Sequence, residues 1–218
     1  MAPDVSFPAR ILIVDDHPVV RLGMRRLIES HPGLSVVIEA DTAEQAVLAG
    51  TSTNLDLAIV DLSLKTGSGL ELIQTLRAAA PKLPVLVLSI HDEALFAERC
   101  VRAGARGYIM KQEAVDNLIT AIEHVLAGGI FVSQRVLQAR LGVPDRSPPS
   151  ASRLGNLTNR EIAVFELLGR GVNAAAIASQ LDVSVKTVEA HRSNIKTKLN
   201  LKTAADVVRH AAAWTSRF

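Results

Sequence analysis

Five times between residues 10 and 126 of this chain, a short and almost wholly apolar run gives way to a stretch with helical spacing. The runs fall at 10–14, 35–40, 57–61, 85–89 and 107–110, and the helical stretches at 19–30, 42–49, 70–80, 94–103 and 115–127. A run such as Ile11-Leu12-Ile13-Val14 or Val85-Leu86-Val87-Leu88 has no polar face. Both faces must be covered, and a parallel sheet between two helix layers covers them. In the last helical stretch Val115, Leu118, Ile119, Ile122 and Leu126 supply the apolar stripe. The expectation is an α/β domain of (βα)5 type with a five-stranded parallel sheet, whose chemistry lies at the carboxyl ends of the strands.

The alternation ceases after Gly128-Gly129, and residues 143–152, rich in Pro and Ser, have linker composition. Beyond them only helical segments occur, at 159–169, 173–180, 185–199 and 203–214. The expected organisation is a first domain over 8–130, a linker over 131–154 and an all-α four-helix domain over 155–218. Charge divides in the same way. Residues 1–140 hold 13 Lys/Arg against 16 Asp/Glu, whereas residues 141–218 hold 11 against 6. A basic small domain beside a mildly acidic one suits nucleic-acid binding by the second, because phosphate neutralisation supplies most non-specific affinity. Aromatic residues make up only 3% of the chain, so both cores must be aliphatic. Cys100 is the only cysteine, which excludes an internal disulfide and a multi-cysteine metal site. No stretch of about 18 apolar residues could span a bilayer, and no basic start leads into an apolar run. A cytoplasmic location with no membrane partner is expected.

Three carboxylates stand at strand ends: Asp15 and Asp16 after the first run, and Asp61 closing the third. Adjacent parallel strands would bring them to one rim, where their mutual repulsion calls for a divalent cation such as Mg²⁺. A carboxylate on the edge of such a site can attack a phosphoryl donor. Ser89 closes the fourth run and Lys111 follows the fifth. A hydroxyl and an ammonium there would hold and neutralise a phosphoryl group. Taken singly, each residue has a plainer role, and Asp15-Asp16 before His17-Pro18 could simply cap the next helix.

In order, Leu12-Ile13-Val14-Asp15-Asp16-His17-Pro18, Asp61-Leu62-Ser63-Leu64, Leu88-Ser89 and Gly107-Tyr108-Ile109-Met110-Lys111 resemble the receiver domain of response regulators, a flavodoxin-like fold. The resemblance implies that Asp61 is the phosphoacceptor and that Asp16, Asp61 and the backbone carbonyl of Ser63 bind Mg²⁺, with Asp15 orienting the metal's waters. It also implies that Ser89 and Tyr108 form a switch pair, the hydroxyl moving to the phosphoryl group and the ring following inward. Two positions depart from the family pattern, Lys65 where Pro is common and Ser68 where an acid is frequent. Altered loop dynamics and phosphoryl lifetime are expected from them.

In the basic part, Thr158 followed by Glu161 offers a capping box, Asn173 caps a short helix, and Ser184 caps a longer one after a tight turn. On that longer helix Val188, Ile195 and Leu199 share one stripe and leave Lys186, Glu189, Ala190, Ser193, Lys196 and Thr197 on the other side. This is helix-turn-helix geometry, with the second helix fit for a major groove. The segments 157–161, 177–181, 183–188 and 191–199 are similar to the LuxR-type domain of the NarL/FixJ class. That similarity implies contacts to double-stranded DNA from Lys186, Thr187, Glu189, Ala190, Arg192, Ser193, Lys196 and Lys202. It further implies a homodimer on DNA with contacts around Val207, Val208 and Ala211. Lys198 adds positive charge. Glu189 either accepts from a cytosine amine or pairs with Arg192 or Lys186 along the helix, and the pair is the preferred reading.

Together these features describe a transcription regulator, not an enzyme, switched when a sensor histidine kinase phosphorylates Asp61. Two other readings share the acidic rim. A Mg²⁺-dependent phosphohydrolase with an aspartyl-phosphate intermediate would need a second acid two residues after Asp61, where Ser63 stands. A regulator that binds DNA constitutively would ignore phosphate altogether.

Overall fold

The computed structural model describes residues 8–64, 69–90, 93–133, 136, 154 and 157–215. Lys65, Ser68 and most of the expected linker lie outside the described residues. The chain divides into two compact units, Met1–Asp145 and Arg146–Phe218.

The first unit alternates strictly: β1 (Ala9–Val14), α1 (Pro18–Glu29), β2 (Leu34–Ala40), α2 (Ala43–Ser52), β3 (Leu57–Val60), α3 (Gly69–Ala79), β4 (Val85–Ser89), α4 (Glu93–Ala103), β5 (Gly107–Met110) and α5 (Ala114–Leu126). All five strands are parallel, in the order β2-β1-β3-β4-β5. The chain winds to one side from β1 to β2 and then to the other from β1 to β3 and onward, so the crevice of the sheet opens between the ends of β1 and β3. Residues of β1, β3 and β4 are buried on both faces, as an uninterrupted apolar run requires. On one face Ile11, Ile13, Leu57, Ile59, Leu86, Leu88 and Ile109 pack against Met24 and Ile28 of α1 and Leu118, Ala121, Ile122 and Val125 of α5.

The buried stripe of α5 is therefore rotated from the expected one. Val115, read as its first member, is 78% exposed, and Ile119 and Leu126 are only partly buried. Ala121 and Val125 take their place, three and seven residues after Leu118 on the helix face turned to the sheet. Cys100 is buried, and burial pushes its thiol well above the ordinary range, so it serves as a small apolar side chain.

The second unit contains α6 (Asn159–Gly169), α7 (Ala174–Gln180), α8 (Val185–Lys198) and α9 (Ala204–Thr215). The N-terminal signals in the sequence all operate. Thr158 and Glu161 make the reciprocal capping box, the Asn173 side chain accepts from the amide of Ala176, and the Ser184 hydroxyl accepts from that of Thr187. Ile162, Phe165, Ile177, Val188, Ile195, Val207 and Ala211 are fully buried, and Trp214 nearly so.

Candidate functional site

Register builds the rim. Val14 lies opposite Val60 in the β1–β3 ladder, so the residues following each, Asp15 and Asp61, emerge side by side. Ser89 pairs with Met110 at the far end of β4 and β5, which puts Lys111 one residue beyond. Asp15, Asp16 and Asp61 are 0%, 7% and 2% exposed, and Ser89 is fully buried. The Lys111 ammonium reaches across the crevice to Asp15 Oδ2 at 2.7 Å and Asp61 Oδ2 at 2.8 Å.

One ammonium does not balance three buried carboxylates. Burial pushes the Asp61 carboxyl above its ordinary range, and this outweighs the attraction of Lys111 and the bond from the Ser63 amide. Burial works to lower the Lys111 ammonium, but Asp61 and Asp15 more than compensate and hold it above its usual value. Donor atoms of Asp15, Asp16, His17 and Asp61 all lie within 4.8 Å of one another. Hard carboxylate oxygens with excess negative charge match the donor preferences of a small divalent cation. The amide of Ser63 donates to Asp61 Oδ1 at 3.1 Å, which turns the chain at the acceptor position.

Asp15 also serves the turn into α1, accepting from the His17 amide through Oδ1 at 2.8 Å. The one carboxylate of Asp15 thus bonds both the turn and the Lys111 ammonium, although the N-cap of α1 is His17 and carries no side-chain cap. His17 was not singled out by sequence reasoning, yet its Nδ1 stands 2.7 Å from Asp16 Oδ1. Arg21 was missed as well. Its Nη1 donates to the Asp15 carbonyl at 2.7 Å and its Nε to Glu39 Oε2 at 3.0 Å, tying the acidic loop to β2. Its partner Glu39 stands 18 residues away, so nothing local in the sequence marked the pairing. The Tyr108 side chain is 2% exposed, so its ring is turned in.

In the second unit Val188, Ile195 and Leu199 face the core, while Lys186, Glu189, Ala190, Ser193, Thr197 and, on the following turn, Lys202 are exposed. Thr187 and Lys196 are half-buried, and the Thr187 hydroxyl bonds that of Ser184 at 2.8 Å. Glu189 Oε1 pairs with Arg192 Nη1 at 2.7 Å, the preferred of its two readings. Lys198 is drawn away from the basic face to buried Glu161, Nζ to Oε2 at 2.7 Å. The dimerisation set needs correction. Val207 and Ala211 point into the domain's own core, because α9 closes the packing over α6, and only Val208 remains half-exposed.

Burial raises the Glu161 carboxyl, but the bonds from Lys198 and Thr158 outweigh it and the net direction is downward. A folded value below the unfolded one means stability that is present above the ordinary Glu range and is lost as pH falls through the lowered value. Trp214, the only tryptophan, sits in this unit, so its fluorescence follows this unfolding. The urea midpoint is expected to fall as the solution is taken below about pH 4.5, and Glu161→Gln is expected to flatten that fall while lowering the neutral-pH midpoint.

A doubly wound sheet that gathers its acids and a lysine at the switch point, followed in one chain by a capped helix-turn-helix, defines a receiver-type signalling protein with a DNA-binding output. Residues 11–123 match the family described as response regulator receiver domain, and residues 155–211 match the bacterial regulatory proteins of the luxR family. A Pseudomonas aeruginosa protein assigned to transcriptional regulation is 37% identical over 201 residues, covering 92% of this chain and 95% of that protein. The nitrate/nitrite response regulator protein NarP of Escherichia coli K12 is 33% identical over 195 residues, covering 89% and 90%. A crystal structure of a LuxR-family two-component response regulator from Aurantimonas sp. SI85-9A1 is 38% identical with a TM-score of 0.58, covering 63% of this chain and 99% of that one.

The chain belongs to the response regulators that carry a receiver domain and a LuxR-type DNA-binding domain. These are transcription regulators rather than enzymes, and their partners are a histidine kinase and DNA. No helix among the described residues is long and apolar enough to cross a membrane.

Proposed function

We propose that Asp61 is the phosphoacceptor of a cytoplasmic, Mg²⁺-dependent transcription regulator, and that its phosphorylation sets the DNA affinity of the helix-turn-helix. The observation that carries this reading is the pair of bonds from Lys111 to Asp15 and Asp61 across a buried acidic crevice. One oxygen of Asp61 attacks the phosphorus of a phosphohistidine donor; the P–N bond breaks and its electron pair returns to the imidazole. Lys111 neutralises charge on the transferred group, and Ser89 donates its hydroxyl to a phosphoryl oxygen. Asp16, Asp61 and the Ser63 carbonyl would hold Mg²⁺, with Asp15 orienting its waters; the ion supplies electrostatic stabilisation of the phosphoryl oxygens. Ser89 and Tyr108 act as the switch pair, biasing an existing two-state equilibrium.

On the output side, Lys186, Ala190 and Ser193 present the exposed face of α8 to base edges. Lys196 and Lys202 hold phosphates, while Arg192 and Glu189 keep the helix surface in register. Dimerisation on DNA uses the outer face of α9 around Val208, and avidity converts dimerisation into tighter operator binding. We read the receiver as starting at residue 8 and the output domain as 155–218.

The function is tested by titrating operator DNA with the full chain, with and without acetyl phosphate and Mg²⁺, at several salt concentrations. Phosphorylation is expected to tighten binding by about tenfold or more, the scale of avidity gained on dimerisation. Equal affinity in both states would support constitutive binding instead. Lys202→Ala is expected to weaken binding to all sequences alike and to reduce the salt slope by about one. A loss confined to one operator sequence would remove Lys202 from the phosphate contacts.

A further inference from the structure

The chain leaving α5 turns back onto the open edge of the sheet. Phe131 lies parallel to β5 opposite Gly107. Its amide donates to the Arg106 carbonyl at 2.9 Å, and its carbonyl accepts from the Tyr108 amide at 2.8 Å. Two residues later the Ser133 amide donates to Glu93 Oε1 at 2.7 Å, in the first turn of α4. Residues 131–133 therefore belong to the first unit rather than to the linker expected to begin at 131.

The sequence makes room for this contact. A Cβ on Gly107 would stand 2.6 Å from Leu86 Cδ1 and 3.1 Å from the Phe131 carbonyl, and one on Gly129 would collide with the His124 imidazole. That imidazole packs edge-on against the Phe131 ring, with 6.1 Å between centroids. A cavity of about 250 Å³ lies alongside, lined by Glu93, Tyr108, Met110, Phe131 and Ser133 among others.

We propose that residues 130–133 form a strap that Glu93 fastens when the Tyr108 ring is turned in, and that phosphorylation of Asp61 tightens the strap and so fixes the start of the linker. The proposal rests on the phosphoacceptor reading of Asp61. Its physical basis is that the strap shares a backbone hydrogen bond with Tyr108 itself, and takes its last bond from the helix that follows Ser89. Tyr108 lines the same cavity that Glu93 and Ser133 border, so a ring swung outward into it would compete with a fastened strap for one volume. Two plainer roles exist: Glu93 could serve only the N-terminal dipole of α4, and the bridge could serve only to cover an edge strand. Neither makes the strap respond to phosphate.

The test is NMR-detected amide exchange on the full chain, with and without acetyl phosphate and Mg²⁺, while mass spectrometry of the same samples reports the extent of Asp61 modification. Modification is expected to slow exchange of the Ser133 amide by about tenfold, the scale of one hydrogen bond to a charged acceptor. Glu93→Ala is expected to abolish that slowing at equal Asp61 modification, and Glu93→Gln, which keeps an acceptor oxygen, to retain part of it. The strap is refuted if Asp61 is modified and Ser133 exchange is unchanged, is faster, or slows equally in Glu93→Ala. Absence of Asp61 modification overturns the phosphoacceptor reading and the coupling together, and the mass spectrum separates that failure from the others.

Discussion

Asp61→Asn is expected to abolish phosphoryl transfer from acetyl phosphate and, with it, any phosphate-dependent change in DNA affinity, while making the first domain no less stable. The amide matches the carboxylate in shape but lacks the negative charge that makes the carboxylate oxygen a nucleophile towards phosphorus. The stability half follows from the sign of the shift. Burial holds the Asp61 carboxyl above its ordinary range, so the unfolded state carries the charge at lower cost. A carboxyl of this kind contributes a destabilisation that grows as pH rises from its unfolded value through its raised folded value. A neutral amide avoids it, although it gives up part of the attraction to Lys111. The first domain's melting temperature, followed by circular dichroism at pH 7, is expected to stay level or rise by a few degrees. A variant that still takes up phosphate on the Asp61 peptide, or that melts well below the wild type, would contradict this account of the site.

Lys111→Met is expected to act in the opposite direction. Removing the ammonium leaves Asp15 and Asp61, both essentially buried, without their shared counter-charge. Breaking a buried pair from one side costs about 3–5 kcal/mol. The loss of charge stabilisation on the transferred group should slow phosphoryl acceptance by about 10²–10³-fold. Because a divalent cation would replace the missing positive charge, Mg²⁺ should raise the melting temperature of Lys111→Met more than that of the wild type, by ordinary linkage. A variant that melts like the wild type would show that Lys111 does not carry the electrostatic balance of the crevice.

Much of this site was legible in the sequence because its chemistry lies at strand ends. Once the alternation fixes a parallel sheet, residues closing adjacent strands must share a rim, and Asp15, Asp61, Ser89 and Lys111 each stand where an apolar run stops. Helix starts were equally legible, since Thr158, Asn173 and Ser184 act on amides three residues away. What the sequence hid depends on contacts between distant segments. Arg21 matters because Glu39 lies opposite it on β2, and Lys198 leaves the DNA face because Glu161 is buried 37 residues earlier in the chain. Neither pairing has a local signature.

The error over Val207 and Ala211 has a related origin. Their spacing with Trp214 marks one apolar face of α9, and that face was assigned to a partner when the small domain needed it for its own core. The strap at 130–133 was invisible for the same reason. Only the folded edge of β5 shows why Gly107 and Gly129 stand where they do.

The most direct measurement of the central claim is to incubate the wild-type chain with acetyl phosphate in Mg²⁺ or in chelator and to map the modified residue by mass spectrometry. The account predicts a single phosphoryl group on Asp61, formed with Mg²⁺ and lost with the chelator. Phosphate on another residue, or modification of Asp61 that is indifferent to the cation, would contradict it.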